Sequence, residues 1–298
     1  MKDCSFRLGD HGRYPLENMN STNMKSLPLS LMLCLLTATF TSAQQKESVA
    51  PLTIGQTISF DSELLGEERR LNVYLPLNYE KDQKASYPVI YVLDGSLDED
   101  FIHIAGLTQF GSFSWVGMLP ESIVVGIGNV DRKRDFTTPS TNKEDQADFP
   151  TAGGSAKFIK SLEEEILPMI EGRYRTSGVE TIIGQSLGGL LATEILFNRP
   201  SLFDNYIIVS PSLWWNDQQL LESDVPTFKQ PKSVFIGVGN EGEEMEGFAK
   251  QLSEKLKVEG GDRLRHFYQY FPDQDHGDAL HLAVYRAFES IFVVEIEE

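Results

Sequence analysis

Read as a succession of apolar and polar positions, the chain from Gln44 onward breaks into short strand-like runs separated by longer stretches of helical period. Leu52 to Phe60 and Leu71 to Leu75 frame the polar turn Asp61 to Glu68 and predict an antiparallel hairpin. Pro88 to Leu93, Ile123 to Ile127, Thr181 to Ile183, Tyr206 to Val209 and Ser233 to Val238 are continuous apolar runs, the pattern of strands covered by helices on both faces. His266 to Phe271 alternates and closes the series. Helical period is clearest where Phe158, Ile159, Leu162, Ile166, Leu167 and Ile170 recur three and four apart in a Glu-rich segment, giving one apolar stripe and one acidic solvent face. Leu187 to Asn198, closed by Pro200, then Met245 to Lys257 and Ala279 to Phe292 supply the remaining helices. This alternation predicts an α/β fold: a mostly parallel central sheet with right-handed crossovers, helices on both faces and an N-terminal antiparallel hairpin. Residues 44–298 contain no repeat or low-complexity linker and read as one domain, with ligands expected at the carboxyl ends of the strands.

Ahead of this domain the pattern changes. Leu27 to Phe40 is apolar throughout, too short for the roughly 20 residues of a bilayer span but suited to the core of a secretory signal. Lys25 precedes it, and the small residues Thr41, Ser42 and Ala43 follow as a cleavage site, so residues 1–43 read as a leader, with Met24 as an alternative start. The bulky Leu31, Met32 and Leu33 argue against lipidation at Cys34. A secreted or periplasmic protein with no stable membrane anchor after processing is expected. Cys4 and Cys34, the only cysteines among 298 residues, both leave with the leader, which excludes disulfide and thiolate chemistry from the processed form. Against 26 Lys and Arg stand 44 Asp and Glu, a net charge of -18 whose field repels polyanions, so nucleic acid is not an expected partner.

The candidate chemistry centres on Gly184-Gln185-Ser186-Leu187-Gly188, which joins the run ending at Ile183 to the helix beginning at Leu187. A Gly-x-Ser-x-Gly sequence between strand and helix is a nucleophile elbow: the sharp turn has no room for neighbouring Cβ atoms and pushes the Ser186 hydroxyl out over the sheet. The backbone N–H of Leu187 then faces a developing oxyanion, and a second donor is expected from Asp94-Gly95-Ser96, with the Ser96 N–H as the candidate and Asp94 holding the turn. In this architecture the acid and then the histidine follow the serine along the chain. Of the later histidines, His266 opens a strand and His281 lies within a helix, whereas His276 occupies a polar loop between the last strand and last helix. His276 is therefore the expected base. The acid is sought after Val238, where Glu241 is the first choice and Glu243 the second, a Ser–His pair without either being the other possibility. Trp214 and Trp215 follow a strand end and are candidates for walling the substrate pocket, one of them in a structural role. Arg132 and Arg134 are candidates for binding an anionic substrate, in competition with pairing to Asp131 and Asp135.

Taken together, Tyr91-Val92-Leu93-Asp94-Gly95, Asp131 to Pro139, Gly184 to Gly189, Ser210-Pro211-Ser212-Leu213-Trp214-Trp215 and Asp275-His276-Gly277 resemble an esterase family of the α/β-hydrolase superfamily. The branch is that of siderophore trilactone esterases of the enterobactin and bacillibactin type, and the resemblance covers most of residues 45–295. It implies hydrolysis of carboxylic esters through a serine acyl-enzyme, without metal or organic cofactor, on a small-molecule or saccharide ester. Feruloyl and acetyl esterases of carbohydrates belong to the same family, so the substrate is not fixed by the resemblance, and a non-catalytic ligand-binding member of the fold is the alternative from another class. Gly242 stands where the family often carries its acid, which leaves the third residue open.

Overall fold

The computed structural model describes residues 48–292; the leader expected at residues 1–43 lies outside them. The chain forms β1 (Gln56–Ser62), β2 (Glu67–Tyr74), β3 (Tyr87–Val92), α1 (Phe101–Gly111), β4 (Ile123–Ile127), α2 (Arg132–Asp135), α3 (Lys143–Asp148) and α4 (Ser155–Ser161). A π-helical turn, Leu162–Ile166, leads into α5 (Leu167–Arg173). Then come β5 (Thr176–Gln185), α6 (Leu187–Asn198), β6 (Asn205–Val209), α7 (Trp215–Glu222), β7 (Lys232–Gly239), α8 (Glu243–Glu259), β8 (Leu264–Phe271) and α9 (Ala279–Ile291).

The strands make one eight-stranded sheet in the order β1-β2-β4-β3-β5-β6-β7-β8. Pairing is antiparallel for β1 with β2 and β2 with β4, and parallel from β4 to β8. The apolar runs form the central strands because both faces are covered. Tyr91, Val125, Ile182, Ile208 and Ile236 pack with residues of α4, α5, α6 and α8 on one face. Ile90, Val124, Ile183, Ile207 and Phe235 pack with α1 and α9 on the other.

Helices α1, α2, α3 and α7 are additions to the pattern reading. Helix α1 buries Phe101, Ile104, Ala105 and Thr108 at helical spacing, but exposed Ile102 and Phe110 blur that stripe in sequence. Helix α7 carries Asn216, Asp217 and Gln218 in left-handed conformation directly after its first residue, which no periodicity forecasts. Among the described residues no helix is long and apolar enough to cross a membrane.

The topology sets the site. Each of the six parallel strands ends at the same edge of the sheet, and the segments following β3, β4, β5, β6, β7 and β8 carry Asp94, Arg132, Ser186, Ser210 with Ser212, Glu241 and His276 respectively.

Candidate active site

Ser186 sits between β5 and α6 with φ 59° and ψ -120°, a strained conformation for a residue with a Cβ. The flanking glycines make the turn possible: a Cβ on Gly184 would lie 2.3 Å from the Gly188 carbonyl oxygen, and one on Gly188 would press on Asp94. Leu187 opens α6, where the first N–H groups of a helix have no intrahelical acceptor.

Ser186, Ser212, Trp214, Asn240, Glu241, Met245, Asp275 and His276 line one open hollow of about 700 Å³. Within it His276 Nδ1 lies 2.5 Å from Glu241 Oε2, and the Glu241 side chain is only 3% exposed against 48% for His276. The other carboxylate oxygen, Oε1, accepts from the Ser210 hydroxyl and from the Gly239 N–H at 3.0 Å. Burial opposes the Glu241 charge, but the hydrogen bonds from His276, Ser210 and the Gly239 amide outweigh it and hold the carboxyl below its ordinary range. The hydrogen bond to Glu241 correspondingly raises the pKa of His276, against burial and the positive charge of Arg132. Such a pair fixes one imidazole tautomer, with Nδ1 protonated toward the carboxylate and Nε2 free to accept.

The loop bearing His276 is tied to the elbow, because Gln185 Nε2 donates to the His276 carbonyl at 2.5 Å. Ser186 Oγ is paired with Ser212 Oγ at 3.3 Å. Gln185, Ser210 and Ser212 were not singled out for any role by the sequence; their only signal was membership of the Gly-Gln-Ser and Ser-Pro-Ser segments. Of the other histidines, His281 packs against His103 with ring centroids 5.0 Å apart and His266 lies on β8. Glu243, the second choice for the acid, is exposed at the first position of α8.

Four other candidate residues meet distinct partners. The Ser96 N–H donates to Glu99 Oε2 at 3.2 Å, and Ser96 lines a separate hollow of about 490 Å³ with Thr57, Arg70 and Asn129, not the one containing Ser186. Next to Ser96, Gly95 nests against Gly126 of β4, where a Cβ would approach to 2.3 Å. Arg134 directs all three guanidinium nitrogens at carboxylates, Nε to Asp135 at 2.7 Å and Nη1 and Nη2 to Glu67, so it belongs to a structural ion-pair network that includes buried Arg69. Trp215 is buried, donates Nε1–H to the Thr138 carbonyl and packs on Phe149, leaving Trp214 as the tryptophan of the hollow. Arg132 pairs with neither Asp131 nor Asp135. It grips Asp94 in two-pronged fashion at 2.6 and 2.8 Å and reaches the Gln185 carbonyl, so Asp94 does hold the turn and Arg132 stands beside the elbow. Among the described residues no group of three or more His, Cys, Asp or Glu side chains has a metal-binding arrangement.

Comparison with known proteins follows the geometry. Residues 62–277 match the family described as "Putative esterase". The chain is 29% identical over 244 residues to ferri-bacillibactin esterase BesA of Bacillus subtilis, spanning 74% of this chain and 84% of that protein. It is 32% identical over 182 residues to the siderophore triacetylfusarinine C esterase of Aspergillus fumigatus, spanning 57% of this chain and 59% of that one. An IroE-like serine hydrolase of Shewanella oneidensis, known from its crystal structure, superposes with a TM-score of 0.71 at 29% identity, covering 80% of each chain.

Proposed function

The chain belongs to this esterase family, with an α/β-hydrolase fold and the activity class of a carboxylic ester hydrolase, and from that premise we propose that it works through an acyl-enzyme on Ser186. The observation that carries the proposal is the short Glu241 to His276 contact in the hollow containing an elbow serine. Ser186 Oγ attacks the ester carbonyl while His276 Nε2 takes its proton, and Glu241 steadies the imidazolium that forms. The carbonyl electron pair moves onto oxygen, where the Leu187 N–H stabilises it. Collapse expels the alcohol, protonated by His276. His276 then removes a proton from water, the resulting attack on the acyl carbonyl releases the acid, and Ser186 recovers its proton.

For the substrate we propose a siderophore-like ester. The two curated relatives above are named for ferri-bacillibactin and triacetylfusarinine C, and the hollow here is open and wide, as a bulky multi-armed ester requires. Trp214 supplies an aromatic wall, and Arg132 supplies positive charge in a chain of net charge -18, with Nη1 free of hydrogen-bond partners among the described residues. We further propose export, on the leader pattern of residues 25–43. A panel of ferric catecholate trilactones, feruloylated sugars and acetylated xylan, assayed with Ser186→Ala as control, tests the assignment. Turnover of the trilactones far above the others supports it, and preference for feruloyl or acetyl sugars transfers the enzyme to the carbohydrate branch. Binding that survives in Ser186→Ala, with no alcohol released by the unaltered protein, refutes catalysis.

A further inference from the structure

The segment Ser210-Pro211-Ser212 takes no part in the reaction steps above, yet it touches both the elbow serine and the acid. It follows β6 and is bonded on both sides. Toward the elbow, the Ser186 N–H donates to the Val209 carbonyl at 3.0 Å and the Ser212 N–H donates to the Ser186 carbonyl at 3.1 Å. Toward the acid, the Ser210 N–H donates to the Gly237 carbonyl at 2.8 Å, two residues before the end of β7. The side chains repeat the arrangement. Ser210 Oγ–H is directed at Glu241 Oε1, and Ser212 Oγ is 3.3 Å from Ser186 Oγ. Both serines are buried, Ser210 completely.

Ser210 also has φ 44°, in the left-handed region that a residue with a Cβ avoids. Glycine would relieve that strain but has no hydroxyl. A strained, fully buried serine whose one polar atom meets the carboxylate facing His276 is a conformation that function, and not packing, accounts for. We propose, resting on the mechanism above, that this turn sets the spacing between nucleophile and acid, with Ser210 as a positioning residue for Glu241. Its hydroxyl and the Gly239 N–H together occupy Oε1, which fixes the carboxylate plane and leaves Oε2 aimed at His276 Nδ1. Ser210 touches no reacting atom and acts only through Glu241.

The test compares Ser210→Ala and Ser210→Gly with the unaltered protein, using full kinetics on a p-nitrophenyl ester, melting temperature and the downfield proton resonance of His276 Nδ1–H. Loss of one hydrogen bond to the carboxylate predicts a fall in kcat of about tenfold, with KM within about twofold. Because a loosened Glu241 no longer raises the His276 pKa fully, the acid limb of kcat/KM moves to lower pH, and the Nδ1–H resonance moves upfield. The glycine variant melts above the alanine variant because it relieves the left-handed strain, yet it is equally impaired in kcat. A merely structural role predicts activity that follows melting temperature and an unchanged acid limb; that result overturns the proposal. If the alanine variant does not fold, the glycine variant carries the same comparison. Should Ser186→Ala retain full activity, the underlying mechanism fails; if Ser186→Ala is dead while both Ser210 variants have normal kcat and pH profiles, only this inference fails.

Discussion

Replacing Glu241 by Gln changes one oxygen to NH2 and keeps the shape, and the structure dictates which way the new amide faces. Two donors, the Ser210 hydroxyl and the Gly239 N–H, converge on Oε1. The Gln carbonyl must take that position, because the reverse orientation sets NH2 against both donors and leaves them unsatisfied, at about 1–3 kcal/mol each. The amide NH2 then points at His276 Nδ1, where Oε2 stood 2.5 Å away. Nδ1 becomes the acceptor, the imidazole proton moves to Nε2, and the nitrogen that should receive the Ser186 proton is already protonated. Reaching the productive orientation costs about 2–6 kcal/mol in all, so kcat should fall by between about 30-fold and about 3 × 10⁴-fold with KM little changed. Steady-state hydrolysis of p-nitrophenyl acetate and butyrate from pH 5.5 to 9, with melting temperature as a folding control, measures this. In the unaltered protein His276 is raised above its ordinary 6.5, so activity is lost as pH falls through an acid limb lying above that value. A folded Gln variant whose kcat stays within tenfold of the parent would refute the reasoning and leave Ser186 and His276 working as a pair.

The same structure makes three other measurable predictions. Asp135→Ala removes the principal partner of Arg69, both side chains being almost fully buried, and should cost about 3–5 kcal/mol in chemical denaturation; a loss under about 1 kcal/mol contradicts the buried-pair account. Glu180 is buried with no hydrogen-bond partner for either carboxyl oxygen among the described residues, and burial raises its pKa from 4.5 to about 8. Its neutral form is favoured in the folded state, so its contribution is intact below about pH 4.5 and is lost as pH rises through about 8. Glu180→Gln should therefore be more stable than the parent by about 5 kcal/mol at pH 9 and by under about 1 kcal/mol at pH 5, and an equal difference at both pH values argues against it. Arg132→Gln should raise KM about tenfold for a carboxylate-bearing p-nitrophenyl ester and less than twofold for the neutral acetate, whereas equal effects on both would assign Arg132 to holding Asp94 alone.

The strand positions and the elbow were legible because they depend on local pattern. The apolar runs at 88–93, 123–127 and 233–238 map onto strands β3, β4 and β7 within a residue or two, and Gly184 and Gly188 flank Ser186 for steric reasons the sequence states outright. What remained hidden depends on which carboxylate or carbonyl a side chain meets across the fold. Arg134 and Arg132 are two residues apart, yet one meets Glu67 from the hairpin and the other Asp94 from the turn after β3, partners 67 and 38 positions away. Trp214 and Trp215 are adjacent, yet Trp214 lines the hollow while Trp215 is buried with its Nε1–H on the Thr138 carbonyl, 77 positions away. Ser96 illustrates the opposite difficulty. It follows β3 as the oxyanion-donor pattern requires, but its amide meets Glu99, a side chain three residues on.

The central claim is that Ser186 is the nucleophile, and active-site labelling tests it most directly. A fluorophosphonate probe applied to the purified protein, followed by peptide mass spectrometry, should give one adduct, on the peptide containing Ser186, with stoichiometric loss of ester hydrolysis; Ser186→Ala should neither label nor hydrolyse. Stoichiometric labelling at another residue, or a Ser186→Ala variant with undiminished turnover, would contradict it.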